Sequence, residues 1–271
     1  MLASRWDGVH HTAMISMAPF LAEYSMAALL GAGVVLFFAG LTKGTVGFAL
    51  PMVTISGLGS FLPAELAVAA IILPSIVTNI WQAFRDGFKA ALASVGRYAL
   101  LFAVLAVMIY LSAQLVTMIS ERWLFMVLGI GVTGFSVIQL SGLRPQVSDQ
   151  MRVRAEIVAG GVAGFFGGLA GVWGPPIILY LIARGVEKVE QVRVTGLAFL
   201  MGSIILTVAH SQTGLLNAQT TPFSAVLILP AMAGMWLGYR IQDRVDQAGF
   251  RRMTLIVLVL AGLNLLRRGL I

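Results

Sequence analysis

Long apolar stretches separated by short polar ones run along the whole chain. Six have the length of membrane-crossing helices, which take about 20 residues at 1.5 Å per residue. They lie at roughly 64–84, 92–118 and 123–141, then 191–211, 221–240 and 250–268. Two further apolar segments, 24–60 and 155–184, are interrupted by clustered glycine and proline. The first contains GLTKGTVGFALP at residues 40–51, the second GGLAGVWGPPIILYL at residues 167–181. In a helix interior glycine costs about 1 kcal/mol and proline about 3 relative to alanine, whereas proline suits the first turn of a new helix. Each cluster therefore predicts a helix that stops and restarts. In the second copy the stop falls near Gly171–Gly174 and the restart at Pro175 or Pro176. At about 30 residues that segment makes two abbreviated passes or a re-entrant hairpin, and either returns it to the side where it began.

An offset of 127 residues superimposes the two halves without a gap. It places Gly40, Gly44 and Gly47 on Gly167, Gly171 and Gly174, Gly87 on Gly214, and Gly142 on Gly269. Each half then holds one broken segment and three ordinary helices. An odd number of net crossings per half forces the second copy to be inverted relative to the first, a common plan among membrane transporters. The expected organisation is a short extramembrane lead-in at 1–23, a first repeat at 24–142, a linker at 143–154 and a second repeat at 155–271. The lead-in makes a poor signal peptide, because Asp7 offsets its early cation and Pro19 interrupts a short apolar stretch.

Composition fixes the class. The chain of 271 residues is 59% hydrophobic and 11% charged, with a mean hydropathy of +0.93. Soluble domains carry about 25% charged residues. The reading is an all-α, polytopic membrane protein with two inverted repeats. The net charge of +7 does not point to nucleic acid, because the basic residues are dispersed among loops. They set topology instead. On the expected arrangement, one set of loops holds thirteen arginines and lysines and the other set four, with Lys43 alone inside. That asymmetry puts the 143–154 linker in the cytoplasm and both termini outside, in a bacterial inner (plasma) membrane.

Lys43 is the one charge between Met26 and Leu62, and it sits inside the first break. A cation at membrane depth is costly and marks a functional position by default; an anionic ligand would compensate it. Helix N-termini aimed into a cavity also attract anions. Two structural alternatives stand beside this reading. Gly40-x3-Gly44 and Gly167-x3-Gly171 have the spacing of close helix contacts, and a lysine near a span end can snorkel to the interface. In the next helix Thr78, Asn79 and Gln82 share a face, with Trp81 nearby, and Thr207, His210 and Ser211 occupy similar places in the second half. Their amides and hydroxyls can donate to an oxyanion or bond to a neighbouring helix.

The run KGTVGFALPMV, the following LPSIVTNIWQ and the later GFFGGLAGVWGPPIILYL together resemble the TauE/SafE sulfite exporter family over residues 25–268. The resemblance implies transport of small sulfur-containing or carboxylate anions, including sulfite and organosulfonates. It maps the family's glycine-rich motif onto Gly40, Lys43, Gly44, Thr45 and Gly47, and its second copy onto Gly171, Trp173, Gly174, Pro175 and Pro176. Ala170 stands where the first copy has Lys43, so the site is not charge-symmetric. With Asn79 and Gln82 these make the candidate substrate-binding set: Lys43, Gly44, Thr45, Gly47, Asn79, Gln82, Gly171, Trp173, Gly174, Pro175 and Pro176.

Other classes lack their signatures. There is no G-x-x-x-x-G-K-[ST] and no H-E-x-x-H. No pair of carboxylates lies deep in the spans, and no nucleophile–base pair is visible, so an enzyme is not expected. The absence of cysteine removes thiol and iron–sulfur chemistry, and His10–His11 alone make a poor metal site. No cofactor, metal or nucleic-acid partner is expected. The expected partners are a small anion and the lipid bilayer, with a homodimer left open. An anion channel and a proton-coupled carrier of small carboxylates are the rivals to an exporter.

Overall fold

A computed structural model describes residues 25–113, 121–142, 146–170, 173–210 and 220–270. For residues 64, 65, 113, 121, 124, 125, 128, 135, 169, 170 and 206–210 it describes the backbone only. The expected lead-in at 1–23, with His10 and His11, lies outside the described residues, as do Gly171, Ser211 and the side chains of Thr207 and His210.

Among the described residues the chain is all-helical. The elements are α1 (Met26–Val46), α2 (Leu50–Leu58), α3 (Ala64–Phe84), α4 (Phe88–Arg97), α5 (Ala99–Ala113) and α6 (Glu121–Leu140). A 3-10 turn (Asp149–Met151) leads into α7 (Arg152–Ala170), α8 (Gly174–Ala183), α9 (Lys188–His210), α10 (Thr220–Val226), α11 (Ile228–Arg244) and α12 (Gln247–Leu270). Four stretches are long and apolar enough to cross a membrane: Met26–Val46, Leu66–Phe84, Thr220–Arg244 and Gln247–Leu270. The pair α4–α5 is long and apolar enough only when taken together, and it is bent by 79°, as a broken span or a re-entrant loop is. The protein is a multi-pass membrane protein.

Sequence patterning places one helix over 92–118, and here the structure corrects it. The backbone leaves the helix at Tyr98 (φ −112°, ψ 26°), and α5 departs from α4 at 79°. Gly96 weakens the preceding turn, and the Arg152 guanidinium donates to the Arg97 carbonyl, satisfying an acceptor that the interrupted helix would leave open. Phe88, Leu92 and Val95 stay exposed along one face of α4. The expected 221–240 helix is likewise interrupted at Leu227, between α10 and α11.

Helix packing rests on glycine. In α1, Gly40 and Gly44 face the backbone of α11; a Cβ on Gly40 would lie 2.0 Å from the Ala231 carbonyl oxygen and one on Gly44 2.3 Å from that of Met235. Gly234 and Gly238 of α11 return the contact, 1.9 Å from Phe37 O and 2.3 Å from Leu41 O. Backbones this close gain van der Waals contact where lipid supplies no hydrophobic drive. The α5–α7 pair repeats the device through Gly160 and Gly164, against Leu101 and Leu105. Both breaks end up near α9, which packs against α3.

Candidate functional site

The first break occupies residues 47–49. Gly47 closes α1 in the left-handed region (φ 86°), and its N–H donates to Lys43 O at 2.7 Å. That geometry is natural to glycine. Ala49 is also left-handed (φ 77°) without glycine's freedom, at a cost of about 1–2 kcal/mol. Such strain collects at functional positions. Pro51 stands in the first turn of α2, whose N-terminus has no side-chain cap.

Lys43 lies one turn above this break and is only 3% exposed. It is buried, not snorkelling. Its Nζ donates to Asn79 Oδ1, and Asn79 Nδ2 donates to Ser203 Oγ at 3.3 Å. The ammonium also sits 5.9 Å from the centre of the Phe199 ring, within cation–π reach. Among the described residues no carboxylate pairs with it. Gln82, three residues after Asn79 on α3, ties the break to α9. Its Nε2 donates to Gly47 O and Val192 O, each at 2.8 Å, and to Thr195 Oγ1 at 3.1 Å. Gln82 Oε1 and Ser75 Oγ are buried and find no partner among the described residues. Thr78 turns inward and donates to Pro74 O at 2.7 Å.

The second break reaches the same helix. Gly174 opens α8 against the Phe199 ring; a Cβ there would lie 2.9 Å from Phe199 Cζ. Pro175 follows in the first turn and Pro176 after it, again with no side-chain cap. The Trp173 ring packs between Gly167 and Gly202, 3.0 Å from where either Cβ would stand. Phe199 is thus shared: Lys43 approaches it from the first half and Gly174 from the second.

The candidate residues fall into three groups. Lys43, Asn79 and Gln82 come together with Gly47 at the α3–α9 crossing. Trp173 and Gly174 reach the crossing through Gly202 and Phe199, and Pro175 and Pro176 follow Gly174 in α8. Gly44 and Thr45 serve the scaffold: Gly44 seats α1 on α11, and Thr45 Oγ1 donates to Leu41 O while its own carbonyl accepts from Gln242 Nε2. Trp81 turns away toward Tyr239, ring centres 5.3 Å apart. Thr195, Phe199 and Ser203 are absent from the sequence-derived set, although their four-residue spacing places them on one face of α9.

Chemically, the site presents one cation, amide and hydroxyl groups, an aromatic face and two uncapped helix N-termini. A small anion complements that set.

No curated protein and no solved structure matches the chain. A family model does, that of the sulfite exporter TauE/SafE, over residues 32–265. This is a family of membrane transporters and not of enzymes, associated with sulfite and related anions. With that match spanning both breaks and all the helices between them, the chain belongs to the TauE/SafE sulfite exporter family.

Proposed function

We propose that this protein is a secondary transporter that exports small sulfur-containing or organic anions, of the sulfite or organosulfonate class, across a bacterial plasma membrane. The anion passes through the α3–α9 crossing, with Lys43 as its counter-charge. One observation carries the reading: Lys43 is buried within the protein core and has an amide, not a carboxylate, as its partner. An uncompensated buried charge is costly, and an arriving anion removes that cost.

The halves act as inverted repeats, each a broken hairpin followed by spanning helices. What supports the repeat is the packing scheme. Exchanging every helix for the one six places along sends α1–α11 to α7–α5, α1–α2 to α7–α8 and α3–α10 to α9–α4. The pairs α3–α9 and α6–α12 map onto themselves. What supports the hairpins is the return of each short helix along its partner. Gly57 of α2 meets Val35 of α1, and Tyr180 Oη of α8 donates to Glu156 Oε1 of α7 at 3.1 Å. Val147 N–H, before α7, donates to Ala183 O at the end of α8.

Orientation is tested by cysteines at Ser148 and Asn217, in a chain that has none of its own. An impermeant thiol reagent added to intact cells is expected to label position 217 and spare position 148. The reverse pattern would overturn the orientation.

Export is driven by the membrane potential. A negative charge leaving a cell that is negative inside gains about 2.3 kcal/mol per 100 mV, roughly 50-fold in equilibrium concentration ratio. In liposomes, a potassium diffusion potential positive on the destination side should accelerate sulfite flux with no pH gradient present. Flux that ignored the potential and followed an imposed pH gradient would refute this mechanism in favour of proton coupling. Flux that failed to saturate with sulfite would favour a channel.

A further inference from the structure

Apart from the Lys43 site, the structure holds a cavity of about 310 Å³ lined by Arg97, Tyr98, Arg152, Tyr180, Arg184 and Glu190, with Val186 at its edge. It lies where the α4–α5 bend meets the N-terminus of α7, the C-terminus of α8 and the first turn of α9. Glu190 and Phe199 are nine residues apart on α9, so the cavity is about 13 Å along that helix from the Lys43 level. We propose that this cavity is a second anion site, which takes a phosphate- or sulfonate-type oxyanion, either free or as the headgroup of an anionic lipid.

The guanidinium groups are held in place with donors to spare. Arg97 uses only Nη1 on Glu190, at 2.9 and 3.1 Å. Arg152 uses Nε on Glu156 at 2.8 Å and Nη2 on the Arg97 carbonyl. Arg184 uses Nη1 on Val147 O and Nη2 on Asp149 Oδ1, each at 2.7 Å. Arg97 Nε and Nη2, Arg152 Nη1 and Arg184 Nε donate to nothing among the described residues. Each arginine has a carboxylate partner, but Asp149 is 92% exposed and neither it nor Glu156 lines the cavity, so the lining itself sets three cations against one carboxylate, Glu190. Anchored guanidinium forks are the side chains best shaped for oxyanions, and the volume falls within the range of small-molecule sites, about 300–1,000 Å³.

The fold itself does not require these charges. Under the 127-residue offset, which rests on the repeat proposed above, Arg97, Arg152, Arg184, Tyr180 and Glu190 correspond to Ser224, Ser25, Gly57, Val53 and Pro63. At those five positions the other half carries no ionisable group. The arginines therefore serve something present at this face of the membrane only. Basic pockets between helices at the cytoplasmic face are where anionic headgroups bind.

Thermal unfolding of the purified full-length chain in a non-ionic detergent tests this with three probes: dihexanoyl-phosphatidylglycerol, inorganic phosphate and dihexanoyl-phosphatidylcholine. At least one of the two anionic probes is expected to raise Tm, and the zwitterionic lipid is not. A rise with the anionic lipid alone identifies a headgroup site, and a rise with phosphate as well a site for free oxyanions. Arg97→Gln and Arg184→Gln should each raise the half-saturating concentration at least tenfold, while Lys43→Met leaves it unchanged. The Arg97 side chain is 60% exposed, so that variant's folding is not at stake. No response to either anionic probe, an equal response to phosphatidylcholine, or unaltered titrations in both arginine variants would overturn the proposal. The Lys43→Met control keeps its failure distinct from a failure of the transport site.

Discussion

Replacing Lys43 by methionine is expected to abolish anion transport at low substrate while leaving the protein folded. Removing one member of a buried, hydrogen-bonded charge pair costs about 2–5 kcal/mol. For an anion held by Lys43 that is at least ~30-fold in kcat/KM. Stability should move little, because an apolar side chain of similar length replaces a charge whose burial was itself unfavourable. The one group left behind is Asn79 Oδ1, which loses its ammonium donor. Flux into liposomes and thermal unfolding must therefore be measured on the same preparation. Wild-type flux in Lys43→Met would remove the lysine from the mechanism. A collapse of both flux and Tm would make it a structural residue.

The second large effect is expected at the α1–α11 crossing. Gly234→Ala puts a methyl group 1.9 Å from the Phe37 carbonyl oxygen, and Gly40→Ala puts one 2.0 Å from that of Ala231. Both obstacles are backbone, so no side-chain rotation relieves them and the helices must move apart. Overpacking of this kind costs about 3 kcal/mol or more, roughly 6–12 °C in Tm for a chain of this size. Gly33→Ala, on α1 with Gly40, is the control. It meets nothing within 4 Å and gains up to about 1 kcal/mol of helix propensity. If Gly234→Ala melted with Gly33→Ala, the close crossing would not be what joins the helices.

These two predictions divide what one short motif hides. In GLTKGTVG the glycines look alike, and the sequence leaves packing and binding both open. Gly40 and Gly44 turn out to face α11 and Gly47 to close the helix. The deciding signal lay far off, in the matching Gly234-x3-Gly238 of the partner helix. The break itself was legible because glycine and proline act locally. The strained Ala49 was not, since a left-handed alanine is imposed by surrounding packing. The bend at Tyr98 was equally hidden. The residues that follow it are continuously apolar, and the Arg152 contact that favours it comes from 55 residues away. Asn79 and Gln82 stood out as polar residues in an apolar helix, but Phe199 could not, because an aromatic residue on an apolar helix looks like any other core residue.

The bend has a further bearing on how the molecule sits in lipid. Were α5 to stand along the membrane normal, α4, 79° from it, would lie nearly flat; it shows Phe88, Leu92 and Val95 on one side with Lys89 and Arg97 at its ends. A helix of that kind floats at the headgroup boundary. Sinking it would drag charges into hydrocarbon, and lifting it would bare three apolar side chains at about 1.5–3 kcal/mol each. A helix so placed would fix the vertical position of the protein as a keel fixes a hull. Rearrangements around Lys43 would then pivot about that waterline.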